Sequence, residues 1–247
     1  MTNNYKIFGI PFINGGFKQA ISILKNGGLM VVPAAPALAT IQNDKKYYDA
    51  ILNADFAIPD SGFMLLILRL LKGIKMNKFS GYSFLHSFFD ELKINNSGTL
   101  FLVDPTIEDS EINNKFLNEI DIMIKKSNHY CAPIYDKKDI IDYELLKIIE
   151  KVRPKFIMIN LGGGVQERLG SFLKNNLSYK PGIICTGAAI AFFTGSQANI
   201  PLWIDNLYFG WLWRCIKDPK IFIPRYLMAF KLYFILSKEK IIKMEKL

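Results

Sequence analysis

Short apolar runs of strand length alternate along this chain with segments whose apolar residues recur every three to four positions. "YKIFGI" (5–10), "GLMVVPA" (28–34), "DFAIP" (55–59), "TLFLVD" (99–104), "HYCAPIY" (129–135), "KFIMINL" (155–161) and "GIICTGA" (182–188) read as strands. The segments between them read as helices: "FKQAISILKNG", "IQNDKKYYDAILN", "GFMLLILRLLKG", "SFLHSFFDELK", "EINNKFLNEIDIMIKK", "YELLKIIEKV" and "QERLGSFLKNN". Strands this apolar are buried on both faces, and helices between them supply the cover. The implied fold class is α/β: a mostly parallel sheet with helices on both faces, Rossmann-like.

Near residue 196 the alternation stops. All three tryptophans, Trp203, Trp211 and Trp213, fall within eleven residues, and Pro219 and Pro224 punctuate the remaining stretch. From 208 to the end, nine Lys/Arg face three Asp/Glu. Two units are expected: an α/β body over 1–195 and a basic, aromatic, helical appendage over 196–247, with Pro219 as the first residue of its last helix. Tryptophan, tyrosine and cationic side chains favour the membrane interface, so the appendage reads either as a bilayer-docking element or as a helical pair packed on the body.

Composition narrows the class. The 247 residues carry a net charge of +9, and 50% are hydrophobic. Such a chain is too apolar to be disordered, and its basic excess points to anionic partners. The basic residues interleave with long aliphatic runs, which fits lipid better than a nucleic-acid groove. Cys131, Cys185 and Cys215 form no C-x-x-C pair and are expected as buried free thiols of a reducing compartment. "MTNNYKIFGIPF" lacks the apolar core of a signal peptide, and no run is long enough to span a bilayer.

Ligands of open α/β sheets lie beyond the carboxyl ends of the strands. Three loops stand there. "VVPAAPALAT" is almost devoid of polar groups. "IPDSG" presents Asp60, which reads both as the cap of the following helix and as a candidate general base. "NLGGGVQERLG" offers Gly162, Gly163 and Gly164 for close backbone approach, before a helix starting near Val165. Gln166 there is a candidate ligand contact, and Glu167 a dipole partner, salt-bridge member or ligand contact. The glycine spacing matches neither a dinucleotide fingerprint nor a phosphate loop. Asp55 belongs at a helix–strand junction. His86 and His129 lack ligand spacing and read as structural. No D-x-D triplet occurs, so a metal-clamped diphosphate is disfavoured. Lys78, Arg214, Lys220 and Arg225 are the candidate cations for a leaving diphosphate.

The segments "ADFAIPDSGFML", "KFSGYSFL", "RPKFIMINLGGGVQERLG", "TGAAIAFFTGSQANIPLW" and "FGWLWRCIKDPKIFIPRYL" come in an order that resembles the WecG/TagA/CpsF glycosyltransferases, glycosyltransferase family 26, over roughly residues 25–230. The resemblance implies an inverting, metal-independent transfer of a hexose or N-acetylhexosamine from a nucleotide sugar, UDP in the first instance. The implied acceptor is a polyprenyl-diphosphate-linked sugar, in bacterial surface polysaccharide synthesis. It implies a peripheral enzyme on the cytoplasmic face of the inner membrane, with no cofactor, no nucleic-acid partner and the oligomeric state open.

Residue by residue, Asp60 matches the catalytic base and Gln166 the glutamine of the glycine loop. Arg214 and Arg225 match appendage arginines near the diphosphates, joined there by Lys220, Trp211 and Trp213. Tyr135, Lys78, Ser80, Thr186 and Gly187 complete the expected donor site. The chain also departs from the family pattern. Pro33-Ala34-Ala35 replaces a polar T-x-N element, and Lys78 replaces an arginine, giving up its bidentate grip on phosphate. Ser80 stands for a threonine and Ser83 for an acid. Gly164 and Val165 replace Pro-Lys, Ala191 an aspartate, and Gly210 an acid. The bare "PAAPA" loop keeps a second reading in view: a catalytically inactive binding or scaffold protein of the same fold and pathway.

Overall fold

The computed structural model describes residues 3–95, 99–136, 140–195, 204 and 209–244. Its centre is a nine-stranded sheet. In chain order the strands are β1 (Asn4–Ile7), β2 (Ile10–Phe12), β3 (Gly28–Val31), β4 (Phe56–Ala57), β5 (Leu100–Asp104), β6 (His129–Cys131), β7 (Phe156–Ile159), β8 (Gly182–Cys185) and β9 (Ile242–Met244). Across the sheet the order is β6-β5-β7-β8-β3-β4-β2-β1-β9. From β6 to β2 neighbouring strands run parallel, and β1 is antiparallel to both β2 and β9.

Helices whose bounds fall among the described residues are α1 (Gly16–Lys25), α2 (Ala35–Ala39), α3 (Lys45–Leu52), α4 (Gly62–Lys72), α5 (Gly81–Asn95), α6 (Ile107–Glu119), α7 (Tyr143–Val152), α8 (Val165–Asn176), α9 (Gly210–Lys217), α10 (Pro219–Ala229) and α11 (Lys231–Lys238). The α/β expectation therefore holds. The strand side chains divide by the two-residue period. Leu29, Val31, Phe101, Val103, Ile157 and Ile159 enter one core with α3, α4, α7 and α8. Met30, Leu100, Leu102, Phe156, Met158 and Ile184 enter the other with α1 and α5.

Several elements differ from the sequence reading. "YKIFGI" is a hairpin, not one strand, because Phe8 (φ 54°) and Gly9 (φ 75°) turn the chain back. The Tyr48 hydroxyl donates to the Phe8 carbonyl at 3.0 Å and holds that turn. The polar-poor loop after β3 contains α2, with Ala35, Leu38 and Ala39 buried. "DFAIP" forms only a two-residue strand, and α6 ends at Glu119, before "IDIMIKK". Pro219 opens α10, which is followed by a further helix.

The tail is also not purely helical: β9 pairs with β1 and extends the sheet. Glu239 accepts the Phe8 N–H at 3.2 Å. Ala229, Leu232 and Leu236 join the same core as α2 and α4. Trp203 lies outside the described residues. Of the cysteines, Cys185 is buried, Cys215 half-buried and Cys131 exposed, so the expectation of buried thiols fails at Cys131, on the edge strand β6. Among the described residues no helix is long and apolar enough to cross a membrane.

Candidate active site

At the carboxyl end of β4 the cap of α4 is Ser61, whose hydroxyl accepts the Met64 N–H at 3.2 Å. Asp60 is therefore not that cap. Its Oδ1 accepts the N–H of Gly81, the first residue of α5, at 3.1 Å. The Phe79 N–H donates to the Pro59 carbonyl at 3.2 Å and lays the loop that carries Lys78 and Ser80 alongside Asp60. Ser80 caps α5 by accepting the Ser83 N–H at 3.1 Å. The positive end of the α5 dipole thus faces the Asp60 carboxylate and favours its negative charge.

From α5 the site continues across the sheet. The space a side chain at Gly81 would enter is bounded by Thr186 and Ala189. Thr186 follows β8; it is 8% exposed, and its buried hydroxyl has no partner among the described residues. Gly187 turns with φ 64° and donates its N–H to Gln166 Oε1 at 2.7 Å. Gln166 Nε2 in turn donates to Glu167 Oε1 at 3.0 Å. Glu167 Oε2 accepts the Gly164 N–H at 2.6 Å, and Arg168 donates to the Gly164 carbonyl at 2.6 Å. Burial pushes the Glu167 carboxyl above its ordinary range, against the hydrogen bonds it accepts.

Gln166 and Glu167 are thus engaged within the protein, tying the glycine loop to the turn after β8. Gly164 needs its positive φ of 89°. Gly162 and Gly163 do not take that conformation, and a Cβ on either would meet nothing within 4 Å. Neither backbone geometry nor internal packing requires glycine at these two positions.

The appendage covers the Asp60 end. Trp211 packs edge-on against Phe63, three residues past Asp60, with ring centroids 5.3 Å apart. Tyr226 lies 5.6 Å from Trp211. Burial raises the Tyr226 phenol pKa; the Asp60 carboxylate adds to the rise, while Arg214 and Arg225 oppose it. Asp60 on the body and Arg214 on the tail thus act in opposite directions on the Tyr226 hydroxyl. The Arg214 guanidinium also stands over the Phe192 ring at 5.7 Å, just beyond the Thr186–Gly187 turn. Arg225 flanks Phe222, and both Arg225 and Lys220 are exposed. Trp213 carries Lys217 over its ring at 5.2 Å.

Tyr135 stands apart from this group. Its hydroxyl donates to Asp142 Oδ2 at 2.6 Å, and Asp142 caps α7. Asp55 is structural, as expected: its carboxylate accepts the Leu29 N–H at 2.7 Å and pairs with Lys174 at 2.8 Å. Among the described residues no three His, Cys, Asp or Glu side chains gather as a metal site.

Sequence reasoning missed Tyr226 and Phe63, whose roles depend on docking between distant segments. It also passed over two buried polar residues, Asp104 and Asn160, although each ends an otherwise apolar strand, in "TLFLVD" and "KFIMIN".

Fold and site together define an α/β protein whose crevice, at the carboxyl ends of its strands, holds a carboxylate, a glycine loop and a basic aromatic wing. The chain belongs to the glycosyl transferase WecG/TagA/CpsF family, whose model matches residues 5–246. It is accordingly a glycosyltransferase. It is also similar, at 22% identity over 95% of its length and 91% of the relative's, to the N-acetylglucosaminyldiphosphoundecaprenol N-acetyl-beta-D-mannosaminyltransferase of Bacillus subtilis (strain 168).

Proposed function

We propose that the chain transfers a hexose or N-acetylhexosamine from a nucleotide sugar, most simply a UDP-sugar, to a sugar on a polyprenyl diphosphate. The transfer inverts the anomeric centre, uses no metal and serves bacterial surface polysaccharide synthesis. The acceptor class follows the name of the Bacillus relative. The observation that carries the reading is Asp60 at the α5 N-terminus, at the end of the sheet where Trp211 of the basic tail packs on Phe63.

In this mechanism Asp60 takes the proton from an acceptor hydroxyl. The oxygen attacks the anomeric carbon while the bond to the nucleoside diphosphate breaks, and a single displacement inverts that carbon. Lys78, Arg214, Lys220 and Arg225 stabilise the departing diphosphate, and the Gly162–Gly163 backbone approaches the donor. The bare loop after β3 no longer argues for an inactive protein, because α2 is the seat on which the tail packs.

The tail brings the enzyme to the cytoplasmic face of the inner membrane. Its helices expose Ile216, Ile221, Leu227, Phe230 and Phe234 on a surface that also carries Lys217, Lys220 and Arg225. Apolar and cationic groups so combined suit an anionic lipid surface. Asp60→Asn tests the base: turnover should fall by roughly 10²–10⁴-fold with donor binding retained. Near-normal turnover in that variant would remove Asp60 from the role.

A further inference from the structure

A buried polar cluster lies on the α6 side of the sheet, outside the residues used above. Asp104 ends β5 and is fully enclosed. Its Oδ1 accepts Nδ2–H groups from Asn113 on α6 at 2.8 Å and from Asn160 at 2.7 Å. Asn160 follows β7 and leads directly into the glycine loop.

These contacts orient the Asn160 amide. With Nδ2 turned to Asp104, the carbonyl Oδ1 must face the other way. That atom is buried and has no partner among the described residues, in a side chain only 6% exposed. One strand along, the Thr186 hydroxyl is buried and unpartnered too. Buried acceptors left unpaired cost free energy unless something donates to them. Here three stand at neighbouring strand ends among the described residues, Asp104 Oδ2 being the third, where ligands of open α/β sheets bind.

Their place in the sheet indicates which part of a ligand would reach them. From β4, which leads into the loop with Asp60, the order is β4-β3-β8-β7. At ~4.8 Å per strand, Asn160 lies about 14 Å across the sheet from the candidate base. The reacting sugar carbon belongs near Asp60, so the diphosphate and then the nucleoside extend toward β7.

Resting on the donor reading above, we propose that Asn160 is a specificity-determining residue whose Oδ1 accepts an O–H or N–H of the donor's nucleoside. Asp104 is its positioning residue.

The test uses the full chain and begins with thermal shifts in UDP, CDP, GDP and ADP. For the diphosphate that binds best, affinity is then compared with its 2′-deoxy, 3′-deoxy and base-N-methylated forms. The wild-type chain should bind one of these analogues roughly 3- to 10-fold more weakly, the range of one neutral hydrogen bond. Asn160→Ala should weaken the parent compound by a similar factor and abolish the discrimination. Asp104→Leu should do the same, whereas Asp104→Asn, which keeps an acceptor for the Asn160 amide, should retain it.

Discrimination unchanged in folded Asn160→Ala, or absent from the wild-type chain, would overturn the proposal while leaving the donor reading intact. If none of the four diphosphates stabilises the protein, the donor reading falls and the proposal with it. Should Asp104→Leu fail to fold, the Asn160→Ala comparison decides alone.

Discussion

Asp60 reads from the sequence as both cap and base, but the cap belongs to its neighbour. Ser61 caps α4, and Asp60 is left to accept from α5 across the loop. The glycines divide in a similar way. Gly187 is required by its φ of 64°, and a left-handed conformation costs an ordinary residue about 1–2 kcal/mol. Gly187→Ala should therefore lower Tm by roughly 2–8 °C in a thermal melt. Gly162→Ala meets no such demand; it should leave the melt unchanged and weaken donor binding, read by titration calorimetry. His129 makes a third residue-scale prediction. Burial holds its imidazole below the ordinary value of 6.5, although Asp104 opposes the shift. The unfolded chain then binds the proton more readily than the folded one, so stability falls as pH drops below about 6.5. His129→Gln should flatten that slope in melts recorded between pH 7.5 and 6, just above and through that value.

At the scale of elements, the sheet was legible because its strands are apolar on both faces, a composition few other structures bury so completely. The helix periods were equally clear for α1, α4, α7 and α8. The hairpin β1–β2 was not, since Phe8 gives no turn signal and takes its positive φ under the hold of Tyr48. Nor was α2, whose only business is tertiary: it receives α10 and α11. Phe63 links this seat to the site, edge-on to both Trp211 and Phe230 with centroids 5.3 Å apart in each case. Phe63→Ala should cost about 3–5 kcal/mol of packing and loosen the tail. Limited proteolysis should then cleave between residues 209 and 238 in the variant well before the wild-type chain.

For the whole molecule, the tail is tied to the body by β9, by the Phe8–Glu239 hydrogen bond and by its share of the core. Removing everything after residue 200 would expose the edge of β1 and the apolar faces of α2 and α4, so truncation should produce aggregation as well as lost lipid binding. Charge reversal is the cleaner probe. Lys217→Glu, Lys220→Glu and Arg225→Glu together should reduce sedimentation with anionic vesicles and leave the melt near the wild-type value, because Lys220 and Arg225 are exposed and Lys217 lies on the surface of Trp213. Sedimentation equal to wild type would show that these charges do not carry lipid binding.

The sequence by itself determined the α/β alternation, the glycine loop before α8, the strand-end aspartate and the basic aromatic tail, because each is written in neighbouring residues and their period. Only the tertiary structure decided which oxygen is held by which helix, that Gln166 and Glu167 brace the loop, that the tail closes over Phe63, and that the Asn160 amide N–H is spent on Asp104. They depend on long-range meetings such as that between Phe8 and Glu239, 231 positions apart, and no local pattern encodes such a meeting.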